Sequence, residues 1–354
     1  MRNPIPVFAY FYQWFTSSSW NRAKIDYPLI GRYSSDDQQV LQAQVRQAKT
    51  AGIDGFFTSW KSTAALNRRL QLLLEVARAQ DFRVGVVYEA LDFSRAPLPV
   101  ATVERDLTYL LSRWGPALSI PQFGRPVIIW TGTDKYTAAD VAAVRASIAG
   151  RALLLASSHS VSGYERIADL VDGEAYYWSS ADPNAAATTA KLAALSSAVH
   201  AHGGLWLAPA AGGFDGRPLG GTRVIERGGG DTLVASLGNA FTSAPDAVMV
   251  ISWNEWSENT YIEPSQKYGR VELDALTRYL AQRGLASPGG VSAVDSSQGD
   301  TGGSWTGGKA AVALGVLTAL VLPGLSLLAR GRPRAPRRHR AGRPAGAGSP
   351  RHRL

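Results

Sequence analysis

Apolar residues recur along this chain in two alternating patterns. Short, nearly unbroken apolar runs are separated by longer stretches in which leucine, valine and alanine return every three to four positions. The first pattern reads as strands buried on both faces, the second as helices packed along one face. The runs predict strands over 6–12, 53–60, 83–89, 126–130, 152–158, 173–178, 205–210 and 247–253. The periodic stretches predict helices over 36–51, 66–80, 100–114, 138–149, around 164–170, 185–202, 231–241 and 271–283. Ser34-Ser35-Asp36 reads as the cap of the first helix and Gly52 as its end. Eight strand–helix units in about 285 residues imply an α/β fold with a parallel sheet closed as a (β/α)8 TIM barrel. An open doubly wound sheet fits less well, because the first strand runs into Gln13-Trp14-Phe15-Thr16 and not a glycine-rich nucleotide loop.

The pattern changes near residue 286. Residues 1–285 read as the catalytic barrel, and 286–309 as a Gly/Ser-rich flexible linker. Residues 310–329 form an uncharged, mostly apolar run of twenty, enough to span a bilayer as one transmembrane helix. Residues 330–354 hold nine arginines and no acid, a tail that the positive-inside rule keeps cytoplasmic. The expected location is therefore the cell membrane, single-pass, with the barrel outside the cytoplasm. No signal peptide precedes the first strand, so an export signal is expected upstream of Met1.

Composition narrows the function. The formal charge of +9 over 354 residues comes entirely from the arginine tail, leaving residues 1–329 neutral. A nucleic-acid-binding surface on the barrel is not supported. The excess of arginine over lysine points to a GC-rich bacterial genome. Cysteine is absent, which excludes a disulfide framework, a thiol nucleophile and thiolate metal sites. Five histidines without ligand spacing give no metal site, and no cofactor motif is present. No G-x-S-x-G elbow supports a serine hydrolase.

The candidate chemistry lies where the eighth strand ends. The run Ala247–Ile251 opens into Ser-Trp-Asn-Glu-Trp-Ser-Glu, which sets Glu255 and Glu258 three residues apart beside Trp253 and Trp256, with Glu263 following. Paired carboxylates do the acid–base work of glycoside chemistry, and aromatic faces stack on sugar rings. The other strand ends add Tyr10, Tyr12 and Trp14, then Trp60 and Lys61, Glu89, His159, Tyr177 and Trp178, and Asp215. With Trp256 and Glu263 these are the candidate substrate-binding residues, and ten tryptophans and thirteen tyrosines suit an oligo- or polysaccharide partner. The residues leave open whether the second carboxylate is a nucleophile or a base.

Several segments resemble glycoside hydrolase family 99 and its clan relatives, the endo-α-mannosidase-like barrels. They are Phe8–Trp14, Tyr27–Ser35, Ala51–Trp60, Gly213-Phe214-Asp215 and, most specifically, Trp253–Pro264. Asn259 stands where the family usually has glycine, and Lys61 where a second tryptophan is common. Asparagine tolerates left-handed dihedrals, so the turn is expected to survive. The resemblance implies retaining hydrolysis of an α-mannoside-type linkage without a covalent enzyme intermediate. It assigns Glu258 as general acid/base and Glu255 as the base that takes the proton of the sugar 2-hydroxyl. Two other classes share these features: a glycosyltransferase or glycan-assembly protein of bacterial polysaccharide synthesis, and a non-catalytic glycan-binding barrel.

Overall fold

The computed structural model describes residues 5–22 and 24–285. The expected linker, membrane helix and arginine tail lie outside the described residues. Among the described residues, no helix is long and apolar enough to cross a membrane.

Eight parallel strands alternate with helices. They are β1 (Val7–Phe11), β2 (Gly55–Trp60), β3 (Arg83–Tyr88), β4 (Arg125–Thr131), β5 (Leu153–Ser157), β6 (Gly173–Ala175), β7 (Leu205–Ala211) and β8 (Ala247–Ile251). The helices are α1 (Gln38–Thr50), α2 (Ala64–Ala79), α3 (Val100–Trp114), α4 (Ala138–Ile148), the short α5 (Val161–Glu165), α6 (Ala186–Ala201), α7 (Asp231–Thr242) and α8 (Val271–Gln282). Every predicted strand and helix is present within a few residues of its expected bounds. The sheet closes on itself. β8 pairs with β1 through Val7↔Val248 and Ala9↔Val250, and β3 pairs with β4 through Val86↔Ile128 and Tyr88↔Trp130. Closure removes both edges, so the backbone polar groups of all eight strands are shared between neighbours.

The period of two divides each strand into two cores. Val7, Ala9, Phe11, Phe56, Trp60, Val86, Tyr88, Trp130 and Trp206 face outward and pack under the helices. Phe8, Tyr10, Phe57, Val87, Ile129, Leu155, Leu207, Met249 and Ile251 fill the barrel interior. Phe8 meets Phe57 edge-on at 5.2 Å, and a Cβ at Gly85 would overlap the Phe57 ring, so this glycine makes room for the interior aromatic layer. One helix start differs from expectation. Asp37, not Asp36, caps α1, accepting the Gln39 and Val40 backbone N–H groups. Asp36 is drawn away by Arg69, whose guanidinium donates to both its oxygens at 2.9 and 2.6 Å.

Candidate active site

The loop from β8 to α8 carries the two glutamates, and most of its other residues hold it in place. The Trp253 N–H donates to the Tyr10 carbonyl at 2.8 Å, continuing the β8–β1 ladder past the strand end. Asn254 grips the chain after β1: its Oδ1 accepts the Tyr12 N–H at 2.7 Å and its Nδ2 donates to the Tyr12 carbonyl at 2.9 Å. Ser252 Oγ accepts the Glu255 N–H at 2.8 Å and meets the Thr260 hydroxyl at 3.0 Å. Asn259 has φ 57°, the left-handed conformation glycine would supply, and its Nδ2 donates to the Asp215 carbonyl at 3.1 Å.

Glu255 and Glu258 are 2% and 1% exposed. The Ser257 N–H donates to Glu255 Oε1 at 2.8 Å, while Glu255 Oε2 has no hydrogen-bond partner among the described residues. Burial pushes the Glu255 carboxyl above the ordinary carboxylate range, opposed by the Ser257 N–H and the nearby Lys24 ammonium. Both carboxylates act electrostatically on one polar feature, the Tyr12 and Tyr177 hydroxyls, which lie 3.1 Å apart. Burial, and then the negative charge of both glutamates, raises the Tyr12 and Tyr177 phenols. Two buried carboxylates that act on the same pair of phenols do so with little screening by water.

The remaining candidates sort by strand parity. Tyr10 and Tyr177 point inward and meet edge-on at 4.9 Å, and the Tyr12 ring leans on Trp14 at 4.5 Å. Glu89 follows β3 on the inward side and accepts from Ser59 Oγ at 2.7 Å; burial raises it. Trp14, Glu89, Lys61 and Ser257 line a cavity of about 350 Å3. Glu255 and Glu258 do not line this cavity themselves; Ser257, between them in the chain, does, and Lys24, also in its wall, donates to Ser257 Oγ at 3.3 Å.

Five candidates are not in this cluster. Trp60 is an outward residue of its strand, fully buried, with its indole N–H on Asn67 Oδ1 at 3.0 Å. Trp178 packs against the outer core beside Tyr176, under the Lys191 ammonium. Trp256 stacks on Tyr261 at 3.8 Å and meets Trp20 edge-on, so both of its sides are occupied. Glu263 spends both oxygens on the Tyr33 hydroxyl, 2.9 Å, and the Gln44 amide, 2.7 Å. His159 is exposed and bonds Asp134 at 2.6 Å. Asp215 keeps a place near the loop through its backbone, whose N–H donates to the Glu258 carbonyl at 2.9 Å, while its carboxylate is held bidentately by Arg217.

Sequence reasoning passed over three groups. Lys24 sits in an irregular loop that carries no periodic signal. Arg227 is buried; it donates to the Asn259 and Tyr261 carbonyls at 2.7 and 2.9 Å and lies 3.4 Å from Glu272 on α8. Glu174 on β6 is fully buried, accepts the Ser158 N–H at 2.7 Å, and is pushed up by burial to about 8. Its outward parity was readable, but its partner was not.

Comparison with known proteins bears on this arrangement. A search of curated proteins finds no match. Among solved structures, the family 99 endo-α-mannosidase from Bacteroides thetaiotaomicron superposes with a TM-score of 0.68 at 17% identity, covering 79% of this chain and 98% of the other. The same enzyme in complex with bis-tris propane gives 0.68 at 19% identity with the same coverage. An exo-β-1,4-mannosidase from Opitutaceae bacterium strain TAV5 gives 0.53 at 12%, covering 80% of this chain and 60% of that one. These likenesses show the shared barrel. The family model for glycosyl hydrolase family 99 matches residues 21–286, three-quarters of the chain and nearly all of the barrel. The chain therefore belongs to glycosyl hydrolase family 99 and is a glycoside hydrolase.

Proposed function

We propose that this barrel cleaves α-mannoside-type linkages in a polysaccharide or glycan with retention of configuration, through Glu255 and Glu258. The observation that carries the reading is that two buried carboxylates, three residues apart, both act on the Tyr12–Tyr177 hydroxyl pair. Glu258 gives a proton to the leaving glycosidic oxygen. Glu255 takes the proton of the sugar 2-hydroxyl, whose oxygen attacks its own anomeric carbon as the exocyclic C–O bond breaks. The product of that step is a 1,2-anhydro sugar. Water then opens the ring at the anomeric carbon, losing a proton to Glu258 while Glu255 returns its proton to O2. A carboxylate raised by burial suits Glu255 to this task, because a stronger base meets the weakly acidic hydroxyl halfway. Tyr12 and Tyr177 sit where their hydroxyls can bond the same sugar, and Trp14 and Glu89 line the adjoining space. The apolar run at 310–329 supports a membrane tether for the full chain.

Incubation with a panel of α-mannans, followed by product NMR, tests this. New α-configured reducing ends in plain water support it. Transfer only from an activated sugar donor would indicate a glycosyltransferase. Affinity without turnover would indicate a binding barrel.

A further inference from the structure

The cavity beside the glutamates has an unusual charge for a neutral sugar site. Four cationic side chains, Arg22, Lys24, Lys61 and Arg69, line it, against one carboxylate, Glu89, which burial raises. The fourth cation in the wall, Arg69, is already matched by Asp36. Lys24 and Lys61 are not so matched. The Lys24 ammonium donates to the neutral Ser257 hydroxyl and the Lys61 ammonium to the Leu91 carbonyl. Among the described residues, neither lies within salt-bridge distance of a carboxylate. Both are half-buried, and burial disfavours their charged forms, while the charge of Glu255 favours that of Lys24 and the charges of Glu89 and Asp92 favour that of Lys61. Two half-buried ammonium groups without a salt bridge give this part of the wall donors suited to an anion. The remaining wall is aromatic, with half-buried Trp14 and with Phe93, 65% exposed, at the rim.

Resting on the hydrolase reading above, we infer that this cavity binds an anionic substituent, a phosphate, sulfate or carboxylate, on a sugar unit next to the bond being cleaved. The ammonium groups of Lys24 and Lys61 meet the anion, and Trp14 and Phe93 cover the faces of the ring. The natural substrate is then an acidic glycan.

The test measures binding to the full chain carrying Glu258→Gln, so that turnover does not interfere. The probes are mannose, mannose 6-phosphate, mannose 6-sulfate and mannuronic acid, read by calorimetry at low and high salt. At least one charged probe is expected to bind about tenfold or more tightly than mannose, with an advantage that shrinks at high salt and is lost in Lys61→Gln and in Lys24→Gln. Which charged probe wins identifies the anion. Equal affinity for mannose and all three acids overturns the inference, as does a preference that survives both lysine substitutions. A shift confined to the pH profile in Lys24→Gln, without loss of anion preference, also overturns it. Hydrolysis of neutral α-mannan by the unsubstituted chain is scored separately. Its presence with no anion preference sinks only this inference, and its absence with a clear preference sinks only the hydrolase specificity.

Discussion

At the scale of single residues, the loop after β8 divides labour sharply. Asn254, Trp256 and Glu263 are as prominent in the sequence as the two catalytic candidates, yet their polar atoms are spent on Tyr12, Tyr33 and Gln44. A motif read from sequence cannot separate residues that do chemistry from residues that aim them, because both are polar and aromatic in the same short span. The Glu255 environment gives a pH prediction. A base must be ionised to act, and burial raises Glu255 above its ordinary 4.5, so the acidic limb of the activity profile should lie above pH 4.5. Lys24 opposes that shift. Lys24→Gln should move the limb to higher pH, and an unchanged limb in a kcat/KM profile would show that Lys24 does not act on Glu255. Asn259 offers a second check. Its φ of 57° already meets the requirement of the turn, so Asn259→Gly should change stability by less than about 1 kcal/mol. Asn259→Val should cost about 1–2 kcal/mol or more and lower turnover, because a β-branched residue resists that dihedral. Thermal unfolding of the pair distinguishes them.

At the scale of elements, all eight strands and their helices were legible, since a strand buried on both faces and a helix buried on one leave different periods. Facing was less so. Trp60 and Trp178 were expected at the mouth because they end strands, but an alternation of two sends each outward when the residue before it points in. Counting parity from Phe57 along β2 places Trp60 outward. Contacts between distant elements had no signal at all. Arg227 and Glu272 are separated by an entire strand–helix unit, yet Arg227 braces the active loop through two carbonyls. Arg227→Met should therefore destabilise the fold by about 2–4 kcal/mol, from two buried carbonyls left without a donor. Burial raises Glu272 to about 7 despite its arginine neighbour. The loss should be greater above pH 7, where Glu272 is ionised without a partner, than below it, and denaturant titrations at pH 6 and 8 measure the difference.

At the scale of the whole molecule, the barrel buries carboxyl groups that the unfolded chain would ionise. Glu174 is raised to about 8 and Glu263 to about 7, both from 4.5, chiefly by burial. Groups raised in the folded state contribute stability that is complete below pH 4.5 and lost as pH climbs through 7 and 8. Tm should therefore fall across that window, and Glu174→Gln should flatten part of the fall, worth on the order of 2–5 kcal/mol at the alkaline end. An equal slope in the variant would contradict the assignment. The proposed membrane tether belongs to this scale too. Removing residues 310–354 should release the protein from membranes, and continued retention would argue against residues 310–329 as the anchor.

The central claim is that two glutamates on one loop carry the hydrolysis. It is tested most directly by the initial rate of reducing-end release from a cleaved α-mannan, compared among the unsubstituted chain, Glu255→Gln and Glu258→Gln. Each protein is checked by thermal unfolding. The account predicts losses of about 10²–10⁴-fold in each variant with the folded state retained. A folded variant of either kind that works at the original rate would contradict it.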